Sequence, residues 1–157
     1  MKTTLEVPDD LYRKVKSRAA LRRRKIKDYV VLDTNALIAL SDPQHKMFQT
    51  IEASLRRGAR ASTCSVVWQE YVREPLLDQD RARALRVIES RMIALERRNA
   101  EMAAELYNAT GRRRGSTADC LIASVAIDTK AELMTLNISD FKLFVPYGLL
   151  LTDLSPA

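Results

Sequence analysis

The sequence predicts an α/β fold, a mostly parallel central sheet flanked by helices, preceded by a short strand-helix extension. Three observations carry this expectation. From residue 29 onward, apolar runs of strand length alternate with stretches of helical periodicity, the order that produces parallel strands joined by covering helices. The first run, Tyr29-Val30-Val31-Leu32, ends abruptly in Asp33-Thr34-Asn35, and open α/β sheets place their chemistry at the C-terminal ends of strands. Charge is also divided unevenly. Residues 1–28 hold 10 Lys and Arg against 4 Asp and Glu, a net +6, whereas residues 29–157 hold 16 of each and are neutral. The chain therefore reads as a basic segment, 1–28, followed by a domain, 29–157.

A chain of 157 residues, 46% hydrophobic and 29% charged, suits one domain with its own core. No run approaches the roughly 20 apolar residues of a membrane helix, and no apolar signal region follows the charged N-terminus. A cytoplasmic protein without a membrane partner is expected. Cys64 and Cys120 lack metal-ligand spacing and are expected to be packed thiols.

In the basic segment, Thr3, Leu5 and Val7 alternate with Lys2, Thr4 and Glu6, the period of a short strand with one polar face. Pro8 ends it, and Asp9 can cap a helix carrying Leu11, Val15, Ala19 and Ile26. A lone strand of this kind lacks the partner it needs for stability, so its edge should seek a second copy and make the chain a homodimer. The surrounding Lys and Arg would bind DNA weakly and in a salt-dependent way. A solvated basic helix that simply precedes the domain fits the residues equally well.

After the first strand come helical stretches over Ala36–Leu40 and His45–Arg57. The short apolar run in "ASTCSVVWQEYV" then leads into a helix bearing Trp68, Glu70 and Tyr71. A long helix is expected from about Asp78 to Tyr107, because Leu85, Ile88, Met92, Leu95, Met102 and Leu106 form one apolar stripe with charged residues off it. The glycines of "NATGRRRG" stop it. "STADCLIASVAI" begins a strongly apolar helix, "AELMTL" reads as a strand, "NISDF" as a loop, and "LLLTDL" as a last short strand.

Four acids stand out in this frame: Asp33 after the first strand, Glu70 beside Trp68, Asp119 in the first turn of the apolar helix, and Asp140 after the penultimate strand. Unpaired carboxylates are seldom buried, and several converging at one sheet edge would repel one another unless a cation neutralised them. All-oxygen ligation then suits Mg²⁺ or Mn²⁺. Each acid also has a purely structural reading: Asp33 as a helix cap, Asp119 in a capping box with Ser116, Asp140 capping a turn, and Glu70 facing solvent.

Absences narrow the chemistry. His45 is the only histidine, which excludes a two-histidine acid–base cleavage of RNA. No Ser-His-Asp set or phosphate-cradling glycine loop is present either. A water activated by a metal is the nucleophile that remains.

"VVLDTNALIAL", an acid on a helix at Glu70, "ADCLIASVAI" and "LMTLNISDF" together resemble the successive motifs of the PIN-domain ribonucleases, in particular the VapC toxins of bacterial toxin-antitoxin pairs. Ser139 departs from the pattern, a basic residue being frequent there. The resemblance implies a PIN-like domain, an Mg²⁺- or Mn²⁺-dependent endoribonuclease, an RNA substrate and a cognate antitoxin. It implies that Asp33, Glu70, Asp119 and Asp140 are the catalytic, metal-binding acids, supported by Asn35, Thr135 and Asn137. Arg112, Arg113 and Arg114, just before Asp119, are candidates to hold RNA phosphates, a solvated loop being the alternative. Residues 1–28 resemble half of a ribbon-helix-helix antitoxin. That likeness implies that Lys2, Thr4 and Glu6 face DNA bases and that the chain joins an antitoxin fragment to a toxin. The alternative function is a non-catalytic DNA-binding and dimerisation remnant of such a fusion.

Overall fold

The computed structural model describes residues 29–154. The expected strand and helix of the basic segment, with the DNA-facing residues Lys2, Thr4 and Glu6, lie outside the described residues.

Five parallel strands form one sheet in the order β3-β2-β1-β4-β5. They are β1 (Tyr29–Leu32), β2 (Arg60–Cys64), β3 (Met92–Ile93), β4 (Glu132–Met134) and β5 (Leu150–Leu151). β1 is central because its side chains are apolar on both faces. Val30, Val31 and Leu32 are all buried, and burying each contributes about 1.5–3 kcal/mol. The chain first builds outward on one side of β1 and then returns to add β4 on the other. The strand order thus reverses between β1 and β4, where doubly wound sheets open a crevice beyond the strand ends.

Among the described residues seven helices cover the sheet: α1 (Thr34–Ala39), α2 (Lys46–Arg56), α3 (Ser65–Val72), α4 (Asp78–Val87), α5 (Arg97–Ala109), α6 (Thr117–Thr129) and α7 (Ile138–Phe141). A 3₁₀ turn over Lys142–Tyr147 follows the last. α6 is apolar nearly all round and buries Cys120, Ile122, Ala123, Val125 and Ala126, which makes it the central helix of the core. His45, whose position reads as ordinary surface in the sequence, caps α2: its Nδ1 accepts from the Met47 amide at 3.0 Å. Cys64 and Cys120 are buried free thiols. Among the described residues no helix is long and apolar enough to cross a membrane.

Three expectations are corrected. The helix expected over 78–107 is two helices with an edge strand between them. Glu89 and Ser90 take left-handed φ of 51° and 53°, turning the chain so that Met92 and Ile93 pair with Thr63 and Cys64. The unpaired edge of β2 offers backbone hydrogen bonds that a side-chain stripe cannot reveal, and Met92 and Leu95 end up exposed rather than in the core. "NISDF" is not a loop but holds the short helix α7, with Asp140 in its first turn. No Ser116–Asp119 capping box forms, because the Ser116 hydroxyl donates to the Arg113 carbonyl at 2.7 Å instead.

Candidate active site

Asp33 leaves β1 in extended conformation and serves as N-cap of α1. The cap occupies only one oxygen: Oδ1 accepts from the Thr34 amide at 2.8 Å, and Oδ2 accepts from the Thr135 hydroxyl at 2.6 Å. The two readings of Asp33, as cap and as site residue, are therefore compatible. Its carboxyl is buried, and that burial raises its pKa against the opposing effect of the Thr135 hydrogen bond.

Asn35, Thr135 and Asn137, the residues expected to support the acids, lie in one hydrogen-bonded strap between β1 and β4. Asn35 Nδ2 reaches Asp33 Oδ2 at 3.4 Å and Thr135 Oγ1 at 3.3 Å, while its Oδ1 accepts from the Leu136 amide at 2.9 Å. The Asn137 amide donates to Thr135 Oγ1 at 3.0 Å. The strap spans about a hundred residues of sequence and locks the two strand ends where the sheet order reverses.

Glu70, on α3, is held by a residue that the sequence did not single out. The Thr34 hydroxyl donates to Glu70 Oε2 at 2.6 Å, so Thr34 bridges the Asp33 and Glu70 carboxylates with its amide and its hydroxyl. The available signal was its place in Asp-Thr-Asn, one residue into a helix whose cap is a site acid.

Asp119 lies in the first turn of α6 and is half-buried. Its carboxyl is pushed up to about 6, first by burial and then by the negative charges of Asp33, Asp140 and Glu70; Arg113 pulls in the opposite direction. The charges of the other three acids thus all reach Asp119, and that of Glu70 also reaches Asp33. Asp140, from α7, pairs with Arg113 at 2.9 Å, and that guanidinium, aided by Asn137, holds its carboxyl below the usual range.

The arginine run separates. Arg112 turns back onto α5, donating to Asn108 Oδ1 at 2.7 Å with its guanidinium 5.4 Å from the Tyr107 ring centroid. Arg113 enters the acid cluster, and Arg114 is exposed.

Among the described residues, no three His, Cys, Asp or Glu side chains are gathered tightly enough to hold an ion as they stand. Hydrogen bonds hold Asp33 and Glu70, and Arg113 pairs with Asp140. The donor set nevertheless suits a hard divalent cation: it is all oxygen and acidic, and one member, Asp119, is pushed toward protonation by burial and by the charges of the others.

The fold is shared with known proteins. Solved structures sharing this fold include VapBC2 from Rickettsia felis, bound to a DNA fragment from its promoter, with TM-score 0.61 and 24% identity over 79% of this chain and 97% of that chain. FitAcB from Neisseria gonorrhoeae has TM-score 0.62 and 15% identity over 80% and 97% of the two chains. VapBC-1 from nontypeable Haemophilus influenzae has TM-score 0.59 and 21% identity over 82% and 99%. No curated protein matches the sequence. Residues 30–142 match the PIN domain family, a span that runs from β1 through α7 and includes all four acids; the chain belongs to the PIN domain family.

Proposed function

We propose that the chain is a ribonuclease that depends on Mg²⁺ or Mn²⁺ and acts as the toxin of a toxin-antitoxin pair. The observation that carries this reading is the position of Asp119, half-buried and crowded by the charges of Asp33, Asp140 and Glu70. Structural residues would be expected to avoid such repulsion; a site built to receive a cation requires it.

Asp33, Glu70, Asp119 and Asp140 would hold the ion, which when bound supplies charge neutralisation and an activated water for in-line attack on a phosphodiester, leaving a 5′-phosphate. The protein's own share is to set the acids in place beforehand. Thr34 and Thr135 fix both oxygens of Asp33, and Thr34 fixes Glu70, so little reorganisation remains at the moment of reaction. Arg112, Arg113 and Arg114, all exposed, would meet RNA phosphates. Arginine suits that task through its fixed fork of donors.

The neighbouring structures, VapBC2, FitAcB and VapBC-1, support a cognate antitoxin as partner. The charge of +6 in residues 1–28 supports a domain boundary near residue 28 and a basic segment that binds DNA weakly.

Incubating the full chain with total RNA in Mg²⁺, in Mn²⁺ and in excess chelator tests the reading, with new 5′ ends mapped. Cleavage that requires the ion is expected. Equal cleavage in chelator would overturn the metal mechanism. No cleavage under any condition, together with DNA retention, would favour the non-catalytic remnant.

A further inference from the structure

The basic run before α6 sends one arginine, and only one, into the acid cluster. Gly111 and Gly115 bound this loop with φ of +87° and +84°, conformations that favour glycine, and a Cβ added at either would meet nothing within 4 Å. Within the loop the Arg113 carbonyl is pinned from both sides of Ser116, by the amide at 3.2 Å and the hydroxyl at 2.7 Å. Ser116 is buried, so the anchor is firm. The anchored backbone carries a guanidinium whose Nη2 lies 2.9 Å from Asp140 Oδ1. The same charge acts on Asp119 as well.

We propose that Arg113 is an exchangeable counter-cation of the acid cluster, holding Asp140 until a divalent ion displaces it and thereafter facing the substrate phosphate. The inference rests on the nuclease reading above and adds to it an internal competitor for the ion. A guanidinium and a divalent cation on one carboxylate repel each other at short range, so each weakens the other's hold. The pair is cheap to break, since the two side chains remain 42% and 37% exposed, and pairs of that kind contribute little. Once released, the side chain stays at the site because Ser116 holds its backbone. Its planar donors match a phosphate better than they match a single carboxylate oxygen. Arg112 is directed away from the acids, to Asn108 and Tyr107.

Calorimetric titration of the full chain with MnCl₂ tests this, comparing wild type with Arg113→Gln and Arg112→Gln, folding being checked by circular dichroism. Loss of the competitor should make Arg113→Gln bind Mn²⁺ about two- to fivefold tighter, the scale of a half-exposed ion pair. RNA cleavage at saturating Mn²⁺ should nevertheless slow by about tenfold, the loss of one phosphate contact. Arg112→Gln should leave Mn²⁺ affinity unchanged. Equal Mn²⁺ affinity in wild type and Arg113→Gln would overturn the proposal while leaving the nuclease reading intact. Equal tightening in both variants would show a diffuse charge effect and overturn it too. Binding of Mn²⁺ by none of the three proteins would overturn both the proposal and the metal-dependent reading beneath it.

Discussion

Thr34 donates its amide to Asp33 Oδ1 at 2.8 Å and its hydroxyl to Glu70 Oε2 at 2.6 Å, tying the end of β1 to α3 through one residue. A hydroxyl placed between two acids of like charge orients the second without adding a charge of its own. Thr34→Val keeps the shape and the amide but frees Glu70. RNA cleavage in Mn²⁺ should fall about 10- to 100-fold, the usual cost of losing a partner that orients a ligand. The melting temperature in chelator should change little, since Glu70 is only half-buried. Unchanged cleavage rates would remove Thr34 from the site.

Asp119→Asn should separate activity from stability. It removes a charge the cation needs while relieving the crowding by Asp33, Asp140 and Glu70. Cleavage should drop at least about 100-fold. In chelator at pH 7.5 the variant should melt about 2–4 °C higher than wild type, a modest gain because the carboxyl is only half-buried.

That gain should depend on pH in a defined direction. The Asp119 carboxyl titrates near 6 in the folded chain against 3.8 ordinarily, so between those values the folded state binds more protons than the unfolded. Stability attributable to this group therefore falls as pH rises from about 4 to 6. The difference between Asp119→Asn and wild type should be near zero at pH 4, grow across that window and level off above it. Melting curves in chelator at half-unit pH intervals measure it; a difference constant with pH would mean that Asp119 is not crowded by its neighbours.

Thr135→Val should damage the fold itself. Asp33 is buried at 5% exposure, and the Thr135 hydroxyl is the nearest donor to its Oδ2. Leaving that oxygen with only the long Asn35 contact should cost about 1–3 kcal/mol, read as a lower urea midpoint at unchanged slope. A midpoint equal to that of wild type would show that Asn35 alone suffices.

Deleting residues 1–28 should abolish retention on DNA at low salt while leaving RNA cleavage intact, because the chain's entire charge excess lies in that segment. Retention measured across a salt series decides it, and binding to one DNA sequence that persists at high salt would show a base-reading function.

The sequence alone determined the fold class and a first buried strand, because these depend on local signals, apolar runs of strand length alternating with helical periods; it singled out the four acids only through their joint likeness to a family's motifs. It could not determine where the stripe from Leu85 to Leu106 breaks. A helical period is indifferent to whether a sheet edge lies nearby, and only the bare edge of β2 makes a strand at Met92–Ile93 worth the two left-handed residues before it. Nor could it divide Arg112, Arg113 and Arg114, three identical side chains in a row. Tertiary structure decided their roles: the loop's geometry gives the first to α5 and the second to Asp140. Thr34 was hidden for a similar reason. Its partner Glu70 is thirty-six residues away, and a hydrogen bond between side chains that distant in sequence exists only once β1 and β2 lie side by side.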